Sequence, residues 1–258
     1  MSSRRVVVDV PLVLTALLLS AYGIAMVYSA GQTDVPTSAT HAWASQIRWL
    51  IFGLVGAYAV SRASVRFFEW AALPVYLMSL ALLALLLVIG TGAGTAASHK
   101  SWIGIGGVRL GQPSELAKVT VVLMLARVLA ARREPPKSLL DLWQPALVAF
   151  LPWALIMMQP DLGTGLVFIG IFFSMLYWSG VPFPLLVLVA SPAVSLILAF
   201  NTSLWGAWFL LLLALVLWYK PFMLEGVGLM LANVVMGVVA PVLWERMAPY
   251  QRHRLLVF

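Results

Sequence analysis

The sequence contains no cysteine. That excludes disulfides, thiol nucleophiles and cysteine-based metal sites. Charge is also scarce: Asp, Glu, Lys and Arg make up 10% of the 258 residues, while 62% are hydrophobic. A soluble domain carries about 25% charged residues. With a mean hydropathy of +0.99, the chain holds more apolar side chains than one soluble core could bury. From Ser138 to Tyr219 there is no Lys or Arg at all. A Walker A loop, a dinucleotide fingerprint and a nucleophile elbow are all missing, so nothing supports coupling to a nucleotide. No internal repeat, low-complexity tract or soluble domain stands out. His41, His99 and His253 are scattered and lack clustered carboxylates, which gives no metal-ligand set.

What is present is a series of long apolar runs. Crossing about 30 Å of hydrocarbon takes roughly 17–25 apolar residues in a helix. Backbone groups in lipid must bond internally, and continuous rather than alternating runs exclude a barrel. The expected fold is therefore all-α, a polytopic transmembrane helical bundle with about nine spans in a single domain over 1–258. Spans are expected at about 10–30, 46–62, 70–90, 113–132, 143–158, 161–180, 184–200, 204–219 and 222–243. The first run is too long for a signal-peptide core and reads as a retained helix.

The net charge of +7 concentrates at span ends, as the positive-inside rule expects, rather than in a nucleic-acid patch. Arg4 and Arg5 place the N-terminus in the cytoplasm. Arg127, Arg132, Arg133 and Lys137 mark a cytoplasmic loop. If the segments 184–200 and 204–219 form a hairpin, Lys220 returns to that side. Residues 91–112 form a Gly-rich outer loop. Arg246, Arg252 and Arg254 then fall outside, against the rule locally, which suits a site facing anionic headgroups.

Three stretches carry chemistry. In HKSWIGIGGVRLGQPSELAK, His99 to Lys118, Gly104, Gly106, Gly107 and Gly111 permit tight turns and Trp102 is an interfacial anchor. Pro113 suits the first turn of a helix. Glu115 sits near the positive end of the helix dipole, and Lys118, three residues on, can pair with it. Charged groups inside a span are costly and usually face a partner or cavity. Both a structural ion pair and a functional pair in a polar cavity stay open.

The second stretch is MMQPDLGTG, where Asp161 either caps the following helix or contributes to a headgroup-facing cavity. The third, Tyr250-Gln251-Arg252-His253-Arg254, offers arginines suited to phosphate or merely a solvated segment. The first two stretches share the outer side, which is a geometric reason to expect one common cavity.

In these three stretches, SWIGIGGVRLGQPSELAK, QPDLGTGLVF and YQRHRLLVF, the sequence resembles the SEDS family, the RodA/FtsW/SpoVE proteins of bacterial wall synthesis. The motifs match in order and in placement relative to the spans, and the resemblance covers essentially the whole chain. The ending is more like the RodA branch. The resemblance implies a peptidoglycan glycosyltransferase polymerising lipid II for cell-wall elongation and cell shape. It implies residence in the bacterial inner membrane, beside a class B penicillin-binding protein and other elongation-complex membrane proteins. No nucleic-acid partner and no certain cofactor are implied, and a divalent cation stays open.

Carried over by position, Glu115 and Lys118 match the family's paired charges as supporting residues. Trp102, Gln112, Ser114, Asp161, Gln251 and Arg254 match its substrate-binding positions, beside Pro113, Gln159, Pro160, Gly163, Thr164 and Tyr250. Ser101 stands where the family usually has Arg, with Lys100 before it. Nine spans precede the third motif where members usually have about seven, and an extra hairpin within 184–219 would account for this. The family's general-base Asp follows the third motif, hence past Phe258. On that reading the chain is truncated within the large extracellular loop and inactive alone. A flippase or transporter for lipid-linked precursors, and a scaffold activating a penicillin-binding protein, are the alternatives.

Overall fold

The computed structural model describes residues 9–32, 40–90, 102–105 and 108–246. Among them are nine α-helices, and each coincides with an expected span to within a few residues. They form two compact units, 1–67 and 68–258.

The first unit is a helical pair, α1 (Val10–Ala30) and α2 (Ala42–Arg62). Asp9 starts α1 by accepting from Leu12 N at 3.1 Å, with Pro11 in the first turn. Tyr28 and Trp43 meet edge-to-face with centroids 5.9 Å apart. No residue of either helix is buried. Apolar side chains directed outward all round are what a lipid-facing pair needs and what water would not tolerate.

The second unit holds nearly all of α3 (Val65–Ile89), then a short antiparallel hairpin, β1 (Ile103–Ile105) and β2 (Val108–Gly111). The helices α4 (Pro113–Ala130), α5 (Trp143–Met157), α6 (Leu162–Trp178), α7 (Phe183–Leu198), α8 (Thr202–Tyr219) and α9 (Met223–Arg246) follow. The hairpin corrects the reading of 91–112 as loop throughout. Ile103, Ile105, Val108 and Leu110 alternate with smaller or polar residues at strand period, and the glycines between them masked that pattern.

Among the described residues, five helical segments are long and apolar enough to cross a membrane: α1, α3, Leu140–Met157, α8 and Met223–Ala240. The helices α6 and α7 are apolar but shorter, at 17 and 16 residues. Glu115, Lys118 and Arg127 make α4 more polar. The protein is a multi-pass membrane protein.

Leu packs no better against Leu than against lipid, so polar contacts and close fit hold membrane helices together. Tyr76 Oη donates to Val148 O at 3.0 Å, tying α3 to α5. Ser79 and Thr120 hydroxyls meet at 2.8 Å between α3 and α4. Around them Leu83, Val121, Leu125, Ile156 and Phe168 form a core. Farther along the chain, Asn233 of α9 accepts from Ser195 Oγ at 2.6 Å and donates to Ser191 Oγ at 2.8 Å, joining α9 to α7.

The basic loop after α4 is held from three directions. Tyr219 Oη donates to Lys137 O at 2.7 Å. Glu225 Oε1 accepts from Leu140 N at 3.0 Å, and Oε2 from Leu139 N at 3.3 Å. Gly180, at φ 86, ends α6 against Pro135. The turns after α6 and α8 therefore share a side with Arg132, Arg133 and Lys137, as the span count requires of Lys220. Lys137 Nζ pairs with Glu134 at 2.6 Å, and this hydrogen bond holds the Glu134 carboxyl below the usual range.

Candidate functional site

On the side opposite the basic loop, two helices begin close together. Pro113 opens α4 in its first turn, where its missing N–H costs nothing. The preceding residue, Gln112, does not cap that helix with its side chain. Its Nε2 instead points to Asp161 Oδ2 at 3.4 Å, a long and weak contact beyond the roughly 2.7–3.2 Å of ordinary N–H···O hydrogen bonds. Asp161 meanwhile caps α6. Its Oδ1 accepts from Thr164 N at 3.1 Å and its Oδ2 from Thr164 Oγ1 at 2.8 Å. One carboxylate thus closes the start of α6 and binds the residue that introduces α4. The first two sequence stretches meet at one rim.

Lys118 Nζ lies 2.8 Å from both carboxylate oxygens of Glu115. Glu115 is 61% exposed at its side chain and Lys118 25%, so the pair sits at the surface of the bundle rather than in its core. Both belong to the first two turns of α4, beside the Gln112–Asp161 contact. The rim joins the starts of α4 and α6, whose N-termini each carry a partial positive charge, and the Glu115–Lys118 pair follows within the first two turns of α4.

Ser114 is 2% exposed and its hydroxyl has no hydrogen-bond partner. It faces into the bundle, closed to a large ligand in this conformation. Gln159 is also buried, donating from Nε2 to Leu83 O at 3.1 Å, so it ties the end of α5 to α3. Trp102 is half-buried just before β1. Tyr250, Gln251, Arg252 and Arg254 lie outside the described residues, as do His99, Lys100, Ser101, Gly106, Gly107 and His253. Among the described residues, no three His, Asp or Glu side chains cluster in a way that could hold a metal ion.

A family profile described as cell cycle protein, covering FtsW, RodA and SpoVE, matches residues 10–214. The chain belongs to the FtsW/RodA/SpoVE family. A probable peptidoglycan glycosyltransferase FtsW of Mycobacterium tuberculosis is 35% identical over 175 residues, covering 66% of this chain and 33% of the relative. The Thermus thermophilus rod shape determining protein RodA has a crystal structure similar to this one. The two share 27% identity and a TM-score of 0.54, over 88% of this chain and 84% of that one. A chain from a peptidoglycan synthase complex that coordinates polymerisation and crosslinking matches at 28% identity and a TM-score of 0.54, over 93% of this chain and 57% of its own length. The chain spans a third to a half of the length of the curated FtsW, RodA and SpoVE relatives it matches.

For this FtsW/RodA/SpoVE member, sequence reasoning found Asp161 and the Glu115–Lys118 pair. It missed Glu225 and Asn233. The available signal was the same for each: a lone acidic or amide residue within an apolar run, which in lipid must find a partner.

Proposed function

We propose that the full-length protein is a peptidoglycan glycosyltransferase of the bacterial inner membrane, polymerising lipid II for cell-wall elongation. Membership of the FtsW/RodA/SpoVE family supports this reading. The observation that carries it is the Gln112–Asp161 contact, which gathers two motifs at one rim beside Lys118. Transfer requires a base to take the proton from an acceptor hydroxyl as it attacks the anomeric carbon of the donor. The leaving group is a lipid pyrophosphate, whose developing charge needs fixed positive partners. Lys118 and the N-termini of α4 and α6 supply positive charge at that rim. Glu115 orients Lys118 through their 2.8 Å contact. Trp102, Gln112, Asp161, Gln251 and Arg254 complete the proposed substrate-binding set. Ser114 joins it only if α4 shifts to open its buried hydroxyl.

The partner in this proposal is a class B penicillin-binding protein that crosslinks the new strands. Likeness to a chain of the synthase complex that couples these two activities supports it. The test is polymerisation of lipid II by the full-length protein with that partner. Lys118→Ala is expected to lower the rate at least about tenfold, less than the roughly 10²–10³-fold of a donor in a water-excluded site because the pair lies at the bundle surface. Undiminished polymerisation would remove Lys118 from the site. Translocation of lipid II without any polymerisation by the wild type would replace the enzyme reading with the transporter.

A further inference from the structure

We propose that the cleft between α8 and α9 binds one anionic phospholipid, its headgroup on Lys220 and one acyl chain between the helices. The cleft has a volume of about 590 Å³ and an almost wholly apolar lining. Leu213 and Val216 line it from α8, Lys220 from the cap of that helix, and Gly226, Met230 and Val234 from α9. These fall at helical spacings, so each helix offers one continuous stripe.

Its depth selects the occupant. From Met223 to Val234 the lining runs eleven residues, roughly 16 Å at the helical rise. That is about half of a 30 Å hydrocarbon core, one leaflet. Farther from the turn the cleft is shut. A Cβ built on Gly237 would lie 2.6 Å from the Trp205 ring, so α8 packs against the α9 backbone there. A transmembrane helix of a partner would need a groove the full depth of the membrane. An acyl chain needs one leaflet.

Charge selects the headgroup. Lys220 is the sole Lys or Arg between Ser138 and Glu245. It stands exposed at the mouth of the cleft, and among the described residues it makes no ion pair. Glu225, the nearest acidic residue in sequence, is 7% exposed and gives both oxygens to the N–H groups of Leu139 and Leu140. Lys137 is already paired with Glu134. Lys220 also has φ 52, a left-handed helix end that glycine adopts freely and lysine only at a cost. An unpaired cation in that position, at headgroup level over an apolar slot, matches a phosphate joined to an acyl chain. The comparable cleft of about 440 Å³ between α6 and α7 carries no charged residue, so it has no such selectivity.

The test uses the whole chain, extracted from vesicles of mixed phosphatidylglycerol and phosphatidylcholine, with retained lipids counted by native mass spectrometry. The wild type is expected to retain phosphatidylglycerol in preference. Lys220→Gln is expected to lower that retention roughly fivefold, the worth of one lysine at an anionic surface, without changing phosphatidylcholine. Gly226→Leu fills the slot, since its Cβ would start 3.4 Å from Val216, and is expected to lower retention of both lipids. Met230→Trp does the same from a second position, and the thermal midpoint reports that each variant is folded. Equal retention of both lipids by the wild type, or unchanged phosphatidylglycerol in Lys220→Gln or in both folded slot-filling variants, would overturn the assignment.

Discussion

Gln112 Nε2 lies 3.4 Å from Asp161 Oδ2, and the two residues are 49 positions apart in the chain. Asp161 already accepts twice from Thr164. The contact from Gln112 is therefore a third, longer one, added to a complete helix cap. This ordering separates the residue that builds the rim from the residue that leans on it.

Asp161→Ala removes the cap of α6 and is expected to cost about 1 kcal/mol of stability. Gln112→Ala is expected to cost less than half of that, because it gives up one long, weak contact at a half-buried site. Thermal unfolding in detergent compares them. Equal losses would show that the cap is not the larger contribution.

The Glu115–Lys118 pair is exposed, so its removal is expected to change stability by less than about 1 kcal/mol. The double replacement by Ala in the full-length protein should nevertheless abolish lipid II polymerisation under the proposed function. Parallel measurements of thermal midpoint and polymerisation rate decide this. A large stability loss with the catalytic rate spared would make the pair structural.

Glu225→Ala leaves Leu139 N and Leu140 N without their partner, at an expected cost of about 1–3 kcal/mol. The basic loop should then open. Limited trypsin digestion would read faster cleavage after Arg132, Arg133 and Lys137. Glu225→Gln, which keeps one acceptor oxygen, should fall between. Cleavage at the wild-type rate in Glu225→Ala would refute the clamp.

Asn233→Leu leaves the buried Ser195 hydroxyl without its acceptor and takes one donor from Ser191, whose hydroxyl still donates to Leu188 O. In membrane helices such contacts average about 0.6 kcal/mol and reach about 1.7. A drop in that range is expected on unfolding in sodium dodecyl sulfate. Adding Ser191→Ala and Ser195→Ala should restore part of it, and no restoration would mean that Asn233 acts outside this network.

Gly180→Ala forces a side chain into φ 86 and brings its Cβ to 3.2 Å from Pro135 Cγ. The expected cost is about 1–2 kcal/mol, read from the thermal midpoint. A neutral substitution would show that the α6–α7 turn relaxes freely against the basic loop.

The helices were legible because each needs only a local signal. Apolar length, Pro113 in a first turn, Asp161 as a cap and basic residues at span ends act over a few residues. The strands of 103–111 were not legible, because glycine spacing reads as loop until the two halves pair. Glu225 was not legible as a clamp, because a single carboxylate in an apolar run calls for a partner without saying which. Only the packed chain brings the N–H groups of Leu139 and Leu140 to it, 85 and 86 residues away.

Composition and periodicity by themselves determined a multi-span helical membrane protein, the helix ends, the basic loop and the charged pair at the start of α4. The tertiary structure alone decided that Gln112 meets Asp161, that Glu225 holds the basic loop and that α8 and α9 part around a one-leaflet cleft. The reason lies in the solvent. In water an apolar stripe tells which face of a helix turns inward. In lipid both the interior and the surroundings are apolar. Helix rotation is then set by a few polar contacts and close packings between residues far apart in sequence, and these emerge only when the helices are assembled.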